Sequence, residues 1–292
     1  MYDGLQATIA TAGRLNSFAR CGQAAYVVSS RVDPGRFKVV GSACHDRFCN
    51  PCARERSNLI ATNVLKHVDD RQLRFLTLTL RSGDDRLGDL LDKLYDSFAK
   101  LRRRKLWKRT VGGGVAMLEI KWSEATRRWH PHFHVLCTGK YIPQEGIRKA
   151  WYAITGDSYI VDIRLVHSTE HATKYITKYA AKPLDGTYTR RPEQLHEAIA
   201  AIHGRKLCLT FGTWRGITLT ERPDDGAWDY VDSLRNLICR AAHGDIDART
   251  ILASISDQNL SLLYERAPRP DEPPEWIVRE PHDHQPFLPW TK

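Results

Sequence analysis

His130-Pro131-His132-Phe133-His134-Val135-Leu136 is the stretch on which the reading of the fold turns. Side chains two apart on a β-strand share a face, so His130, His132 and His134 project together while Phe133 and Val135 point into a core. Such a row of imidazoles has metal-ligand geometry. Upstream, Val115 to Trp122 is a second strand-like run, and Ser123-Glu124-Ala125-Thr126-Arg127-Arg128 has the length of a hairpin connection between them. Pairing around Ala125 and Thr126 sets Glu119 opposite His132 on the imidazole face. A slip of one residue would remove it from that face. Two imidazoles and a carboxylate leave positions open on a divalent ion such as Mg²⁺ or Mn²⁺, which can polarise a phosphate oxygen. A histidine-rich edge strand or a structural zinc site is the alternative reading of this strand alone.

Around this hairpin the pattern predicts a sheet with helices. Leu73 to Leu80 reads as a buried strand in which Phe75 and Thr77 alternate with Leu76, Leu78 and Leu80. Arg86 to Trp107 places Leu87, Leu90, Leu91, Leu94, Phe98 and Leu101 on one helical face. Tyr159 to Val166 reads as another strand, and helices are expected over Arg54 to Val68, Gln144 to Ala153, Trp228 to Ala242 and Asp245 to Glu265. Three divisions follow: a cysteine-rich module over 1–70, a central α+β domain over 71–220, and C-terminal helices with a proline-rich tail over 221–292. Seven of the chain's fourteen prolines lie beyond Ala267, a composition suited to extended chain.

Thr173-Lys174-Tyr175-Ile176-Thr177-Lys178-Tyr179-Ala180-Ala181-Lys182 predicts a helix ending before Pro183, with Tyr175 and Tyr179 neighbours on one face. Lys178 and Lys182 lie close to that direction. A phenol ionises near pH 10, so it becomes a nucleophile only where cations or a metal-held phosphate favour the phenolate. Taken alone, two tyrosines at this spacing more often bury their rings against a core.

Together these residues resemble the HUH endonucleases, specifically the two-tyrosine rolling-circle replication initiators of small plasmids and single-stranded phages. Phe75 to Leu80 is similar to that family's first motif, His132-Phe133-His134-Val135-Leu136 to its metal motif, and Tyr175 to Tyr179, with Lys178 between, to its tyrosine motif. The resemblance implies an α+β fold with a central antiparallel sheet flanked by helices. It further implies metal bound by His132, His134 and Glu119, attack by tyrosine on single-stranded DNA at a replication origin, and a 5′-phosphotyrosine beside a free 3′-hydroxyl. Either Tyr175 or Tyr179 fits as first nucleophile. His130 fits as a ligand, as a hydrogen-bonding support of the ligands, or as a phosphate contact. The tyrosines follow the histidines in the chain, which separates this pattern from conjugative relaxases. A transposase using the same chemistry, and a non-catalytic zinc-containing DNA-binding regulator, are the alternatives. No GxxxxGK[ST] phosphate loop is present, so a separate helicase and polymerase are the expected partners.

Cys21, Cys44, Cys49 and Cys52 cluster early in the chain, and the closing Cys49-x₂-Cys52 pair suits structural Zn²⁺, with His45 able to replace Cys44. Cys137, Cys208 and Cys239 read as small buried residues. The formal net charge is +10, and Arg71 to Thr110 alone holds twelve Lys or Arg against five Asp, which favours a polyanionic partner. Arg102, Arg103, Arg104 and Lys105 are candidate DNA contacts with Lys182, and Trp107 is a candidate for stacking on a base. No apolar run approaches the roughly 20 residues needed to span a bilayer, and no secretory signal opens the chain, so a cytoplasmic protein without a membrane partner is expected.

Overall fold

In the computed structural model, the strands Val111–Ser123 and Arg128–Gly139 form a long hairpin with Glu119 opposite His132 and Lys121 opposite His130, the register expected from sequence. The structure describes residues 12–68, 73–180, 187–222, 227–256, 262–264 and 276–278. Its strands are β1 (Ala25–Ser30), β2 (Phe37–Gly41), β3 (Leu73–Thr79), β4 (Val111–Ser123), β5 (Arg128–Gly139), β6 (Val161–Val166), β7 (Cys208–Gly212), β8 (Trp228–Ser233), β9 (Leu262–Tyr264) and β10 (Trp276–Val278). The fold is α+β, with antiparallel sheets flanked by helices.

The chain divides into two compact units, one containing Ala53–Arg222 and the other Thr11–Cys52 with Pro223–Lys292. The first is built on a five-stranded sheet of order β6-β3-β5-β4-β7, with every pairing antiparallel. Leu76 to Val135 and Thr77 to His134 are cross-strand partners, so the pleat sends Phe75, Thr77, His132 and His134 to one face. That face is covered by the helices Asn50–Leu65 and Thr169–Ala180, which pack Ile60, Val64, Ala172 and Ile176 against Phe75, Met117 and Leu136. The other face carries Phe133, whose ring meets Tyr95 at 5.0 Å and Phe98 at 5.2 Å from the helix Leu87–Arg103. With nonpolar contacts on both faces, β3 and β5 can be apolar at most positions.

The expected helix Arg86 to Trp107 is instead two, Leu87–Arg103 and Lys105–Thr110, with Arg104 extended between them (φ −66°, ψ 143°). In one continuous helix Trp107 would stand about 240° around the axis from Leu101 and face away from the core. The break turns it inward, where it is buried against Phe98 and Phe211 at 5.8 Å from each. Trp107 therefore packs the core and is not exposed for stacking on a base.

The second unit holds a three-stranded antiparallel sheet of order β2-β1-β8. A helix was expected from Trp228, but Trp228–Ser233 is a strand and only Leu234–Ala242 is helical. Trp228, Tyr230 and Val231 suit a strand as well as a helix, and pairing with β1, through a bulge at Val231, recruits the segment as a strand. Ser233 ends it and caps the helix, its hydroxyl accepting from Asn236 N–H at 3.1 Å. The last expected helix is shorter than Asp245 to Glu265, spanning Ile246–Ser256, while Leu262–Tyr264 pairs with Trp276–Val278. No helix among the described residues is long and apolar enough to cross a membrane.

Candidate functional site

His134 is the centre of the first unit's site. It is 5% exposed; its Nδ1 lies 3.2 Å from Thr77 Oγ1 and its Nε2 2.6 Å from Glu119 Oε2. Glu119 is itself 1% exposed, and Lys121 Nζ approaches the same carboxylate oxygen at 3.5 Å. A buried carboxylate needs such partners, because an unpaired charge in a low-dielectric interior is strongly destabilising. His132 lies beside them, its ring centroid 6.2 Å from that of His134. Burial pushes its pKa down to about 4 against the opposing pull of Glu119, so the imidazole is neutral and its lone pair is available near pH 7. Its Nδ1 is buried and has no hydrogen-bond partner among the described residues. That orphaned nitrogen, next to an imidazole and a carboxylate, fits a divalent cation by donor chemistry. His134 and Glu119 bond to each other, but the ligand atoms of all three residues do not lie mutually within 4.8 Å. His130 stands farther along β5, bonded through Nδ1 to Ser82 Oγ at 2.5 Å.

The tyrosine helix lays its phenols on this face. Tyr179 stacks on His134 with centroids 3.7 Å apart, and both tyrosines stack on Phe75, Tyr175 at 4.4 Å and Tyr179 at 5.3 Å. The spacing of four residues makes their rings nearly parallel, at 9° and 6.5 Å. Lys178 is exposed and holds its ammonium 5.3 Å from the Tyr179 ring centre. Arg164 reaches the same helix: Asp162 at 2.6 Å is the main cause of its raised pKa, and Tyr175 contributes. Thus strand and helix, far apart in the chain, bring Glu119, His132, His134, Tyr175 and Tyr179 to one sheet face. The sequence reading did not single out Thr77, Lys121, Arg164 or Ser82. Strand alternation places Thr77 beside Phe75, but only the β3–β5 register puts it opposite His134.

The basic run is not part of this assembly. It ends the helix that covers the opposite face of the sheet. Arg103, Arg104 and Lys105 are exposed there, whereas the Arg102 guanidinium is half-buried over the Phe98 and Phe211 rings at 5.0 and 5.8 Å. Burial lowers its pKa. Arg102 therefore packs, and its charge is less accessible than that of its neighbours. Lys182 lies outside the described residues.

In the second unit Cys21, Cys44, Cys49 and Cys52 have their sulfurs mutually within 4.8 Å, the only such group among the described residues. Sγ–Sγ separations are 3.5 Å for Cys21–Cys52, 3.7 Å for Cys44–Cys52 and 3.4 Å for Cys49–Cys21. A zinc tetrahedron with Zn–S bonds near 2.3 Å has edges of about 3.8 Å. The four could thus hold a metal ion such as zinc, and His45 is not among them. Asp46 N–H donates to Cys44 Sγ at 3.4 Å, and Asp46 is fastened by Arg14 at 2.6 Å. Burial pushes the Cys44 thiol up to about 12 and raises Cys49 as well, so a cation is needed to hold both as thiolates. Of the other cysteines, Cys137 is fully buried, while Cys208 and Cys239 are half-buried.

Comparison with known proteins identifies relatives of this chain. A family model described as "Replication protein" matches residues 36–237. The chain is 30% identical over 140 residues to Protein rep of Staphylococcus aureus, covering 42% of this chain and 61% of that protein. It is 31% identical over 184 residues to Protein rep of Bacillus amyloliquefaciens, covering 56% and 54% respectively. The matched stretches thus span a little over half the length of these relatives. No solved structure matches.

Proposed function

This chain belongs to the replication protein family, and on that premise we propose that it is a rolling-circle initiator that nicks and rejoins single-stranded DNA by tyrosine transesterification. The observation that carries the reading is the stacking of Tyr179 on His134, which sets a phenol ring on a sheet face that gathers imidazoles and a carboxylate. His132, His134 and Glu119 would hold Mg²⁺ or Mn²⁺, which would polarise the scissile phosphate. The phenol oxygen bonds to phosphorus and the bond to the 3′-oxygen breaks. The phenol proton is lost and the departing oxygen gains one, leaving 5′-phosphotyrosine and a 3′-hydroxyl that primes synthesis. Lys178 favours the phenolate by its charge. Tyr179, nearest His134, attacks first, and Tyr175, on Phe75, serves the later strand transfer. His130, held by Ser82, is a phosphate contact or supports the ligands. Arg103, Arg104 and Lys105 are phosphate contacts outside this centre. Helicase and polymerase come from other proteins, and the reaction takes place in the cytoplasm.

Incubation with single-stranded DNA carrying the replicon's origin, with Mg²⁺ or Mn²⁺, is expected to give a covalent protein–DNA band on denaturing electrophoresis. A transposase would instead act on the ends of a mobile element. If no origin strand is cut at any metal concentration, the proposal is wrong.

The four cysteines are proposed to hold one structural zinc. Cys49→Ser and Cys52→Ser are each expected to reduce bound zinc from one equivalent to near zero. Metal binding on the order of 10 kcal/mol then no longer supports the second unit, and its thermal transition should fall or vanish. Because thiols with raised pKa must lose protons to bind, zinc affinity should drop as pH falls. Elemental analysis of the reduced wild type tests this, and zinc-free, fully folded protein would refute it.

A further inference from the structure

The outer face of the β2-β1-β8 sheet is unlike that of an ordinary antiparallel sheet, where the side away from the core is polar. Its inner side is accounted for: Val27 is buried against Leu234, Leu237, Ile238 and Ile255, with Phe37, Val39 and Val231 half-buried beside them. Alternation sends Tyr26, Val28, Lys38 and Val40 to the opposite side, where β8 adds Trp228 and Tyr230. Tyr26 is 42% and Tyr230 64% exposed, with their rings 5.9 Å apart and tilted by 59°. Lys38 holds its ammonium 3.7 Å from the centre of the Trp228 ring, and the Arg36 guanidinium is 5.5 Å from it. The nearby carboxylates of β8 are engaged elsewhere, Asp229 by Arg31 and Asp232 by Arg240 at 3.0 Å. Aromatic rings and basic side chains thus alternate on this side of the sheet.

We infer that this sheet face is a binding platform for single-stranded nucleic acid, on which unpaired bases stack against Tyr26 and Tyr230 while Lys38 and Arg36 meet the phosphates. Rings offer a stacking surface to any base, and cations among them favour a polyanion over an uncharged protein partner. Nothing in the nicking chemistry uses this face. The inference rests on the reading of the chain as a DNA-processing protein, adding to it a site where the strand is held in the unit that lacks Tyr175 and Tyr179. Hydroxyl groups are not required for stacking, so the rings alone should carry the effect.

The test uses the full-length chain and a fluorescently labelled (dT)₂₀ strand, read by anisotropy. Tyr26→Ala and Tyr230→Ala are each expected to weaken binding about five-fold or more, and Tyr230→Phe to bind like wild type. Lys38→Gln should reduce the slope of log affinity against log salt by about 0.7. Alanine variants that bind (dT)₂₀ as tightly as wild type would overturn the inference. So would sedimentation showing wild type self-associated and the alanine variants monomeric, which would give the face to a second copy of the chain. Covalent adduct formation on saturating origin strand is measured in parallel and should persist in the alanine variants. An intact anisotropy pattern in a wild type that forms no adduct would remove the nicking proposal and leave the platform standing.

Discussion

The double variant Tyr175→Phe/Tyr179→Phe is expected to form no covalent DNA adduct, a loss on the order of 10⁴-fold or more in cleavage, because it removes both candidate nucleophiles. Its fold should be nearly unaffected. The stacking on Phe75 and His134 belongs to the rings, which phenylalanine keeps. Each lost hydroxyl is therefore worth only about 1 kcal/mol of stability. Origin-strand binding should also remain close to wild type. The single variants should differ: Tyr179→Phe loses the first nick, while Tyr175→Phe still nicks and loses strand transfer. Denaturing electrophoresis reads the adduct, and mass spectrometry of a trapped species locates it. Adduct in the double variant, or a phosphotyrosine mapped to another segment, would end the proposed mechanism.

The second large effect is expected at the imidazole–carboxylate group. Glu119→Gln keeps the shape of the side chain but removes its charge, and His132→Asn removes a ligand nitrogen. Each should slow nicking by about 100-fold or more at limiting Mn²⁺, with partial recovery when the ion is raised. His134→Ala requires a different interpretation. His134 is packed between Tyr179 and the sheet and is bonded to Glu119, so its removal leaves a void and a buried carboxylate with one partner fewer. A stability loss of about 3 kcal/mol or more is expected with the activity loss. Thermal melts alongside metal titrations separate the two contributions. Wild-type nicking by Glu119→Gln at limiting metal would show that the carboxylate is no ligand.

Periodicity within single segments carried a good part of this protein. Strand alternation in His130 to Leu136 and the short connection after Trp122 were sufficient for the hairpin and for Glu119 opposite His132, because the connection limits the register and a slip of one residue would turn Glu119 off the imidazole face. The four-residue spacing of Tyr175 and Tyr179 put both on one helical face for the same local reason. The cysteine cluster was legible from its spacing. Other features depend on contacts between distant segments, which local periodicity does not encode. The stacking of Tyr179 on His134 requires the helix to cross that sheet face, and the hydrogen bond from Thr77 requires β3 to pair with β5. Arg102 looked like its basic neighbours until packing over Phe98 and Phe211 withdrew it. Trp228–Ser233 had hydrophobic residues compatible with a helix, and only the free edge of β1, some two hundred residues earlier in the chain, made it a strand. Backbone hydrogen bonds to a partner strand outweighed local propensity there, and the aromatic face of the second unit's sheet exists only through that pairing.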